Sequence, residues 1–218
     1  RRSNAGCLQG FDCSNPCNSV RISMMEAIKL IAGLGNPGSE YSRTRHNAGF
    51  WFMDVLADAA QAHWGLDKKI HAETAKIRIA GQTVLLLKPA TFMNHSGRAV
   101  QSALQYWKIE PQQCLIAHDE LDLPPGKTRL KFDGGHGGQN GLRDTMAQLG
   151  HGRFHRLRIG IGHPGNKDQV TPWVLGRPSQ ADTEAINQSV SAAIDVLPLL
   201  MEGRFSDAMK QLHTPAAN

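Results

Sequence analysis

Residues 28–38, IKLIAGLGNPG, carry the clearest architectural signal in this chain of 218 residues. The apolar run of residues 28–34 is typical of a strand that is buried within a sheet. Gly33, Gly35 and Pro37 then break the run into a loop. Functional side chains collect in loops at the ends of buried strands, so this segment predicts both a buried strand and one edge of a functional site.

Predicted strands and helices are interleaved along the rest of the chain. Helices are predicted at about 47–64, from Asn94 or Ser96 as cap to Trp107, from near Leu142, and at about 180–201 and 204–212. Strands are predicted at 75–80 and 83–88, which form a hairpin, and at 114–118, 127–132 and 156–161. Residues 163–177 are polar and contain proline, which indicates a long loop or lid. The pattern predicts a single-domain α/β fold with a mixed sheet.

Residues 1–23 differ from the remainder, since they are polar and show no hydrophobic period. We expect them to be a vector-derived or disordered extension, and residues 24–218 to form the domain. The extension holds Cys7, Cys13 and Cys17, whose spacing matches no zinc pattern. Cys114 is then the lone cysteine of the domain, which favours a reduced, cytoplasmic protein. No apolar run approaches the roughly 18 residues that would cross a membrane.

Five polar side chains stand in turn-rich stretches just after a predicted strand or just before a predicted helix: Asn36, His46, Asn94, Asp119 and Asn140. The set includes no serine elbow, no thiol nucleophile and no metal-ligand spacing. One histidine, one carboxylate and three amides suit the activation of water and the positioning of a polar acyl group. Asp119 could orient His46 and favour its charged form, as the carboxylate of a catalytic triad does.

Two alternative readings of these segments involve a cofactor or a metal. Residues 33–38 match the dinucleotide fingerprint G-x-G-x-x-G, but that motif needs a helix that opens at the glycines, and here Pro37 and several polar residues intervene. Asp119, Glu120 and Asp122 could hold Mg²⁺, yet a hard cation usually also needs a phosphate-bearing substrate to complete its shell. We therefore expect neither a cofactor nor a metal.

Basic residues cluster in the second half of the chain. Strict alternation in the strand at 127–132 places Lys127, Arg129 and Lys131 on one face. Any half-exposed strand can alternate in this way, and the net formal charge of +5 is mild. Clustering of one sign beside the glycine-rich loop at 134–141 nevertheless favours contacts with phosphate.

Five segments resemble the bacterial peptidyl-tRNA hydrolase family in order and spacing: GLGNPGSEYSRTRHNAG (33–49), KPATFMNHSG (88–97), AHDELDLPPG (117–126), GGHGGQNGLRD (134–144) and FHRLRIGIGHPG (154–165). The resemblance runs from about Met24 or Met25 to the C-terminus. It implies a monomeric α/β protein with a twisted mixed sheet flanked by helices. It also implies metal-independent hydrolysis of the ester between a peptide and the terminal ribose of tRNA, which releases both for reuse in translation.

The resemblance also implies roles for individual residues. His46 matches the catalytic base, Asp119 its carboxylate partner, and Asn36 an amide that distinguishes peptidyl from aminoacyl groups. Asn94 and Asn140 contact the substrate, and either could steady the oxyanion. The candidate substrate-binding residues are Tyr41, Phe92, Met93, Asn94, Gly137, Asn140, Lys131, Arg158 and Lys167. Among them, Lys131 and Arg158 resemble a clamp for the 5′-phosphate of tRNA, and residues 134–141 and 163–177 resemble a gate and a lid.

The chain departs from the family at Gln139, where some members carry a second histidine. An amide cannot act as a base near neutral pH, which leaves His46 as the better candidate. Two other functional classes stay open: a non-catalytic RNA-binding module of the same fold, and an esterase for small acyl esters. A pure binder needs no base such as His46, and a small neutral ester offers no phosphate to a basic strand.

Overall fold

The computed structural model describes residues 26–214. The expected extension at residues 1–23 lies outside the described residues. The strands are β1 (Leu30–Gly33), β2 (Gly65–Asp67), β3 (Ala72–Ile79), β4 (Gln82–Pro89), β5 (Cys114–Glu120), β6 (Thr128–Phe132) and β7 (His155–Gly160). The helices are α1 (Ala48–Ala59), α2 (Ser96–Trp107), α3 (Asn140–Leu149), α4 (Val170–Val174), α5 (Gln180–Asp195), α6 (Leu197–Met201) and α7 (Phe205–His213). Short 3₁₀ helices span Arg45–Asn47, Met93–His95, Pro111–Gln113 and Lys167–Gln169.

The strands form one mixed sheet in the order β2-β3-β4-β1-β5-β7-β6. The four central strands β4, β1, β5 and β7 are parallel. The predicted hairpin is present as antiparallel β3 and β4, and antiparallel strands close both edges of the sheet. The α/β class with a mixed sheet and flanking helices is confirmed.

Alternate side chains of the buried strands pack on opposite faces of the sheet. Ile31 of β1 belongs to the apolar cluster that includes Phe52 of α1 and Ile186 of α5. Its neighbour Leu30 belongs to the opposite cluster, which includes Val100 of α2 and Leu142 of α3. The sheet is therefore covered by helices on both faces, as a largely parallel sheet requires.

Gly33 allows α1 to lie directly on the end of β1. A Cβ atom at Gly33 would overlap the side chain of Met53 and the backbone of Gly49, both in α1. This close approach brings the start of α1, and with it the 3₁₀ turn at Arg45–Asn47, to the carboxyl end of β1. The glycine run thus positions a helix start rather than serving as a dinucleotide loop.

The predicted boundaries of two helices and the predicted cap of a third are wrong. The first helix, α1, ends at Ala59 rather than near residue 64. Gln61 then takes a positive φ of 50°, and the chain turns into β2. Neither Asn94 nor Ser96 caps α2, because the residue before the helix is His95. The helix predicted at 180–201 is divided into α5 and α6, since Pro198 has no N–H to continue the hydrogen-bond pattern. No helix in residues 26–214 is long and apolar enough to cross a membrane.

Candidate active site

A cleft of about 460 Å³ opens where the parallel strands β1, β4 and β5 end. Parallel strands present their carboxyl ends at one edge of a sheet, so the loops after them converge there. The lining of the cleft includes all five polar residues singled out from the sequence: Asn36, His46, Asn94, Asp119 and Asn140. It also includes four more of the predicted binding residues: Tyr41, Phe92, Met93 and Gly137. Helix α4 and the residue after it cover the cleft with Val170, Thr171, Val174 and Leu175.

His46 and Asp119 form a buried pair, although 73 positions separate them in sequence. His46 lies in the 3₁₀ turn before α1, and Asp119 lies near the end of β5. The Nδ1 atom of His46 is 2.8 Å from Oδ2 of Asp119. An ionised carboxylate can only accept, so Nδ1–H is the donor and Nε2 of the neutral ring carries the lone pair. The pair therefore has the geometry of an oriented general base.

Burial and charge act in opposite directions on both members of the pair. Burial lowers the pKa of His46, but the charge of Asp119 and its hydrogen bond outweigh burial, and the pKa of His46 lies above its ordinary value of 6.5. Burial raises the pKa of Asp119, but the charge and hydrogen bond of His46 and a hydrogen bond from Gln139 together hold that pKa below its ordinary value. Asp119 is thus ionised at neutral pH, and protonated His46 is stabilised.

Gln139 supplies the second hydrogen bond to Asp119, which the sequence did not predict. Its Nε2 donates to Oδ1 of Asp119 at 2.9 Å. Its Oε1 accepts from the backbone N–H of Leu142 at 2.8 Å and so caps the start of α3. Gln139 cannot exchange its amide oxygen and nitrogen without losing the cap. Its position directly before a predicted helix was the only sequence signal for this role.

Asn36 is held in one orientation by backbone and side-chain partners. Its Oδ1 accepts from the backbone N–H of Met93 at 2.7 Å. The side chain of Asn47 accepts from the backbone N–H of Asn36 at 2.8 Å and donates to its carbonyl oxygen at 2.9 Å. These contacts leave the NH₂ group of Asn36 available to the cleft. Asn47 is buried and lies outside the cleft lining, and its position in the sequence gives no signal for its contact with Asn36.

Tyr41 and Phe92 form an aromatic pair in the lining of the cleft. Their ring centroids are 6.1 Å apart in an edge-to-face arrangement, and Phe92 is 54% exposed. Asn94 and Asn140 are also exposed beside the cleft. Exposed rings and amides are suited to contact a base, a ribose or a peptide group that enters from solvent.

The predicted basic residues lie outside the cleft lining and have different environments. Register pairing places Arg129 beside Arg158 and Lys131 beside Arg156 on one face of β6 and β7. Arg158 donates from Nε to Oε2 of Glu120 at 2.8 Å, and Lys131 is exposed. Arg156 is buried and donates from Nη1 to the carbonyl oxygen of Gly135 at 2.6 Å. Arg156 therefore holds the glycine-rich loop, whereas Lys131 remains open to solvent.

Lys167 lies farther along the chain, in the exposed 3₁₀ helix Lys167–Gln169. Residues 26–214 contain no group of three or more His, Cys, Asp or Glu that could hold a metal ion. Two of the three acidic residues considered for Mg²⁺ are engaged elsewhere, since Asp119 pairs with His46 and Glu120 with Arg158.

Comparisons with known proteins agree on one family. Residues 30–218 match the family model described as peptidyl-tRNA hydrolase. The peptidyl-tRNA hydrolase of Xanthomonas campestris pv. campestris is 66% identical over 191 residues, which cover 88% of this chain and 99% of that protein. The peptidyl-tRNA hydrolase of Stenotrophomonas maltophilia is also 66% identical over 191 residues, covering 88% of this chain and 100% of that protein. The crystal structure of peptidyl-tRNA hydrolase from Acinetobacter baumannii has a TM-score of 0.84 at 47% identity and covers 86% of this chain and 95% of that one.

Proposed function

This chain belongs to the peptidyl-tRNA hydrolase family and hydrolyses peptidyl-tRNA, and we propose that its nucleophile is a water molecule activated by His46. The observation that carries this proposal is the 2.8 Å contact between His46 Nδ1 and Asp119 Oδ2 at the cleft. This contact leaves Nε2 of His46 unprotonated and free to act as the base. An ester has a better leaving group than an amide, so direct attack by water needs no covalent intermediate.

The reaction proceeds in two proton transfers through His46. Nε2 takes a proton from water as the water oxygen attacks the ester carbonyl carbon, which produces a tetrahedral oxyanion. The oxyanion then collapses, the bond to the ribose oxygen breaks, and protonated His46 returns the proton to that oxygen. The products are a peptide with a free carboxylic acid, which loses its proton to solvent at neutral pH, and a tRNA with a free terminal hydroxyl. General-base help of this kind is typically worth about 10² to 10⁴ in rate.

One of the exposed amides of Asn94 and Asn140 is the proposed oxyanion donor. Both line the same cleft as His46 and carry NH₂ groups that can donate to developing negative charge. Loss of one such donor typically lowers kcat by about 10² to 10³. Substitution of each asparagine by alanine identifies the donor. Only the variant that lacks the donor should show a lower kcat with KM little changed.

Asn36 is the proposed discriminator between peptidyl-tRNA and aminoacyl-tRNA. A peptidyl group presents a neutral amide carbonyl near the ester, and the NH₂ group of Asn36 can donate to it. A free aminoacyl group presents a cationic ammonium there, which an NH₂ donor cannot satisfy. The fixed orientation of Asn36, set by Met93 and Asn47, supports this role.

The basic face of β6 and β7 is the proposed binding surface for the acceptor stem of tRNA. Lys131 and Arg158 on this face contact the 5′-phosphate, and Lys167 adds a further phosphate contact. The exposure of Lys131 and the alignment of Arg129 with Arg158 support the assignment. Tyr41, Phe92, Met93 and Gly137 contact the terminal nucleotides and the peptide. Sequence-independent recognition of this kind suits an enzyme that acts on many tRNAs.

We also propose that the protein acts as a monomer in the cytoplasm. Peptidyl-tRNA is a product of translation, so the enzyme must meet its substrate there. Cys114 is the one cysteine among residues 26–214 and is a free, buried thiol, which suits a reducing compartment. Light scattering after size-exclusion chromatography tests the oligomeric state, and a stable dimer would contradict it.

The decisive experiment measures release of an N-blocked peptide from peptidyl-tRNA beside free aminoacyl-tRNA, with EDTA present. The expected result is fast cleavage of the blocked substrate alone, which His46→Ala nearly abolishes while tRNA binding is mostly retained. Tight tRNA binding without cleavage by the native protein would instead support the RNA-binding module. Cleavage of small acyl esters at a comparable rate would support the general esterase.

A further inference from the structure

Arg45 directly precedes the proposed base, yet its side chain contacts the lid, residues 163–177, rather than the cleft. Its Cζ atom lies 3.8 Å from the centre of the Trp173 ring. Its Nη1 atom donates to the carbonyl oxygen of Arg177 at 2.9 Å and lies 3.4 Å from that of Trp173. Arg45 is buried, so the cation is enclosed by the lid it contacts.

Further contacts fix the same region from both sides. The backbone N–H of Arg45 donates to the carbonyl oxygen of Gly176 at 3.0 Å. The Nη2 atom of Arg45 is 3.6 Å from Oδ2 of Asp182 in α5. Trp173 also donates from Nε1 to the carbonyl oxygen of Gly162, the residue before the lid, at 2.9 Å. Residues 165–169, between these attachment points, are exposed.

The attached part of the lid is the part that covers the cleft. Helix α4 ends at Val174, next to the ring that Arg45 covers, and four residues from 170–175 line the cleft. Arg45 and His46 are consecutive residues of one 3₁₀ turn. Arg45 is therefore the side chain that links the turn of the base directly to the segment that places α4 over the cleft.

We propose that Arg45 is a positioning residue that anchors the lid over the cleft and thereby controls binding of the peptidyl group of the substrate. This proposal rests on the proposed function. The planar guanidinium stacks on an indole and donates to carbonyl oxygens at the same time, which a lysine ammonium cannot reproduce. Arg45 does not touch Asp119, so the strength of the base should be independent of the anchor.

The test compares Arg45→Ala and Arg45→Lys with Arg43→Ala, a matched control that removes the same charge from an exposed residue two positions away. For both Arg45 variants, KM for N-blocked peptidyl-tRNA is expected to rise by about fivefold to tenfold, with kcat within about twofold. The midpoint of the acid limb of kcat is expected to be unchanged. Hydrogen exchange should accelerate at amides 170–176 and not in α1.

Trp173→Leu breaks the same contact from the lid side without altering the turn that holds His46. It is expected to reproduce the rise in KM and the faster exchange, whereas Trp173→Phe should retain most of both native values. Native exchange at residues 170–176 in Arg45→Ala, or a loss in kcat with a shifted acid limb, would overturn the anchor. A native protein that fails to cleave peptidyl-tRNA would refute the proposed function, and the exchange data would still test the anchor.

Discussion

Asp119→Asn is expected to disable His46 through the direction of its hydrogen bonds as well as through charge. In the native protein the two carboxylate oxygens accept from His46 and Gln139 at 2.8 and 2.9 Å. An asparagine at this position offers one acceptor and one donor. Because Oε1 of Gln139 caps Leu142, the donor of Gln139 stays directed at residue 119. The new amide therefore cannot satisfy both neighbours with the active tautomer of His46.

The two possible orientations of the new amide differ in their cost. If its NH₂ group faces Gln139, two donors oppose each other in a buried site, which costs about 1–3 kcal/mol. If its NH₂ group faces His46, Nδ1 must accept, Nε2 carries the proton, and the ring is no longer a base. The active arrangement is thus disfavoured by roughly 5-fold to 150-fold. With the lost stabilisation of protonated His46, kcat/KM should fall by about 10² to 10⁴.

The double variant Asp119→Asn with Gln139→Glu should recover part of this loss. A carboxylate at position 139 can accept from Leu142 with one oxygen and from the new amide with the other. The amide oxygen of residue 119 is then free to accept from Nδ1–H of His46. The expected gain over Asp119→Asn alone is about 5-fold to 150-fold. Gln139→Glu alone should lose activity at neutral pH, because two facing carboxylates raise the pKa of the pair.

Single-turnover cleavage of N-blocked peptidyl-tRNA is the appropriate assay, with thermal unfolding as the check on folding. All three variants keep side chains of native size, so packing should be preserved, and the loss of stability should stay within about 1–3 kcal/mol, the cost of a buried unpaired polar group. A double variant that is folded but no more active than Asp119→Asn would refute the tautomer argument. The charge of Asp119 alone would then account for its contribution.

The remaining predictions concern pH, salt and the support of Asn36. Because the pKa of His46 is raised and the neutral ring is the base, kcat/KM should fall as pH falls through a midpoint above the ordinary value of 6.5. A midpoint below that ordinary value in the native protein would contradict the role of Asp119. The double variant Lys131→Ala with Arg158→Ala should bind tRNA more weakly. The slope of the logarithm of its affinity against the logarithm of salt concentration should be shallower by about 1 to 2 units. An unchanged slope would remove both residues from the phosphate clamp. Asn47→Ala leaves the backbone N–H and carbonyl of Asn36 without partners, so urea unfolding should show a loss of about 1–3 kcal/mol and discrimination against aminoacyl-tRNA should weaken.

Local patterns predicted the elements that carry the site, because short apolar runs end at distinctive residues. The run before Gly33 became β1, and the run before Asp119 became β5. The end of α1 was predicted too late, since positive φ at Gln61 has no strong sequence signal. The interior break before Pro198 was overlooked, although proline gives a physical reason for it.

The contacts within the site were harder to predict because they join residues far apart in sequence. Asn47 acts on Asn36 across 11 positions, and Gln139 acts on Asp119 across 20. Both are amides that could equally face solvent, so residue type alone does not identify them. Arg156 shows that a basic side chain beside the glycine-rich loop need not meet phosphate, because it is buried and donates to a carbonyl oxygen of that loop.

Asp119 and the residue next to His46 each contact a different loop at the cleft. Gln139, in the glycine-rich loop, donates to Asp119, and Arg45, next to His46, holds the lid. Changes on the Gln139 side alter the hydrogen bonds of the base and should shift the acid limb of the pH profile. Substitutions of Arg45 or Trp173 release the lid from its position over the cleft and should raise KM. Because the two effects fall on different kinetic quantities, a single set of pH profiles separates the contribution of each loop.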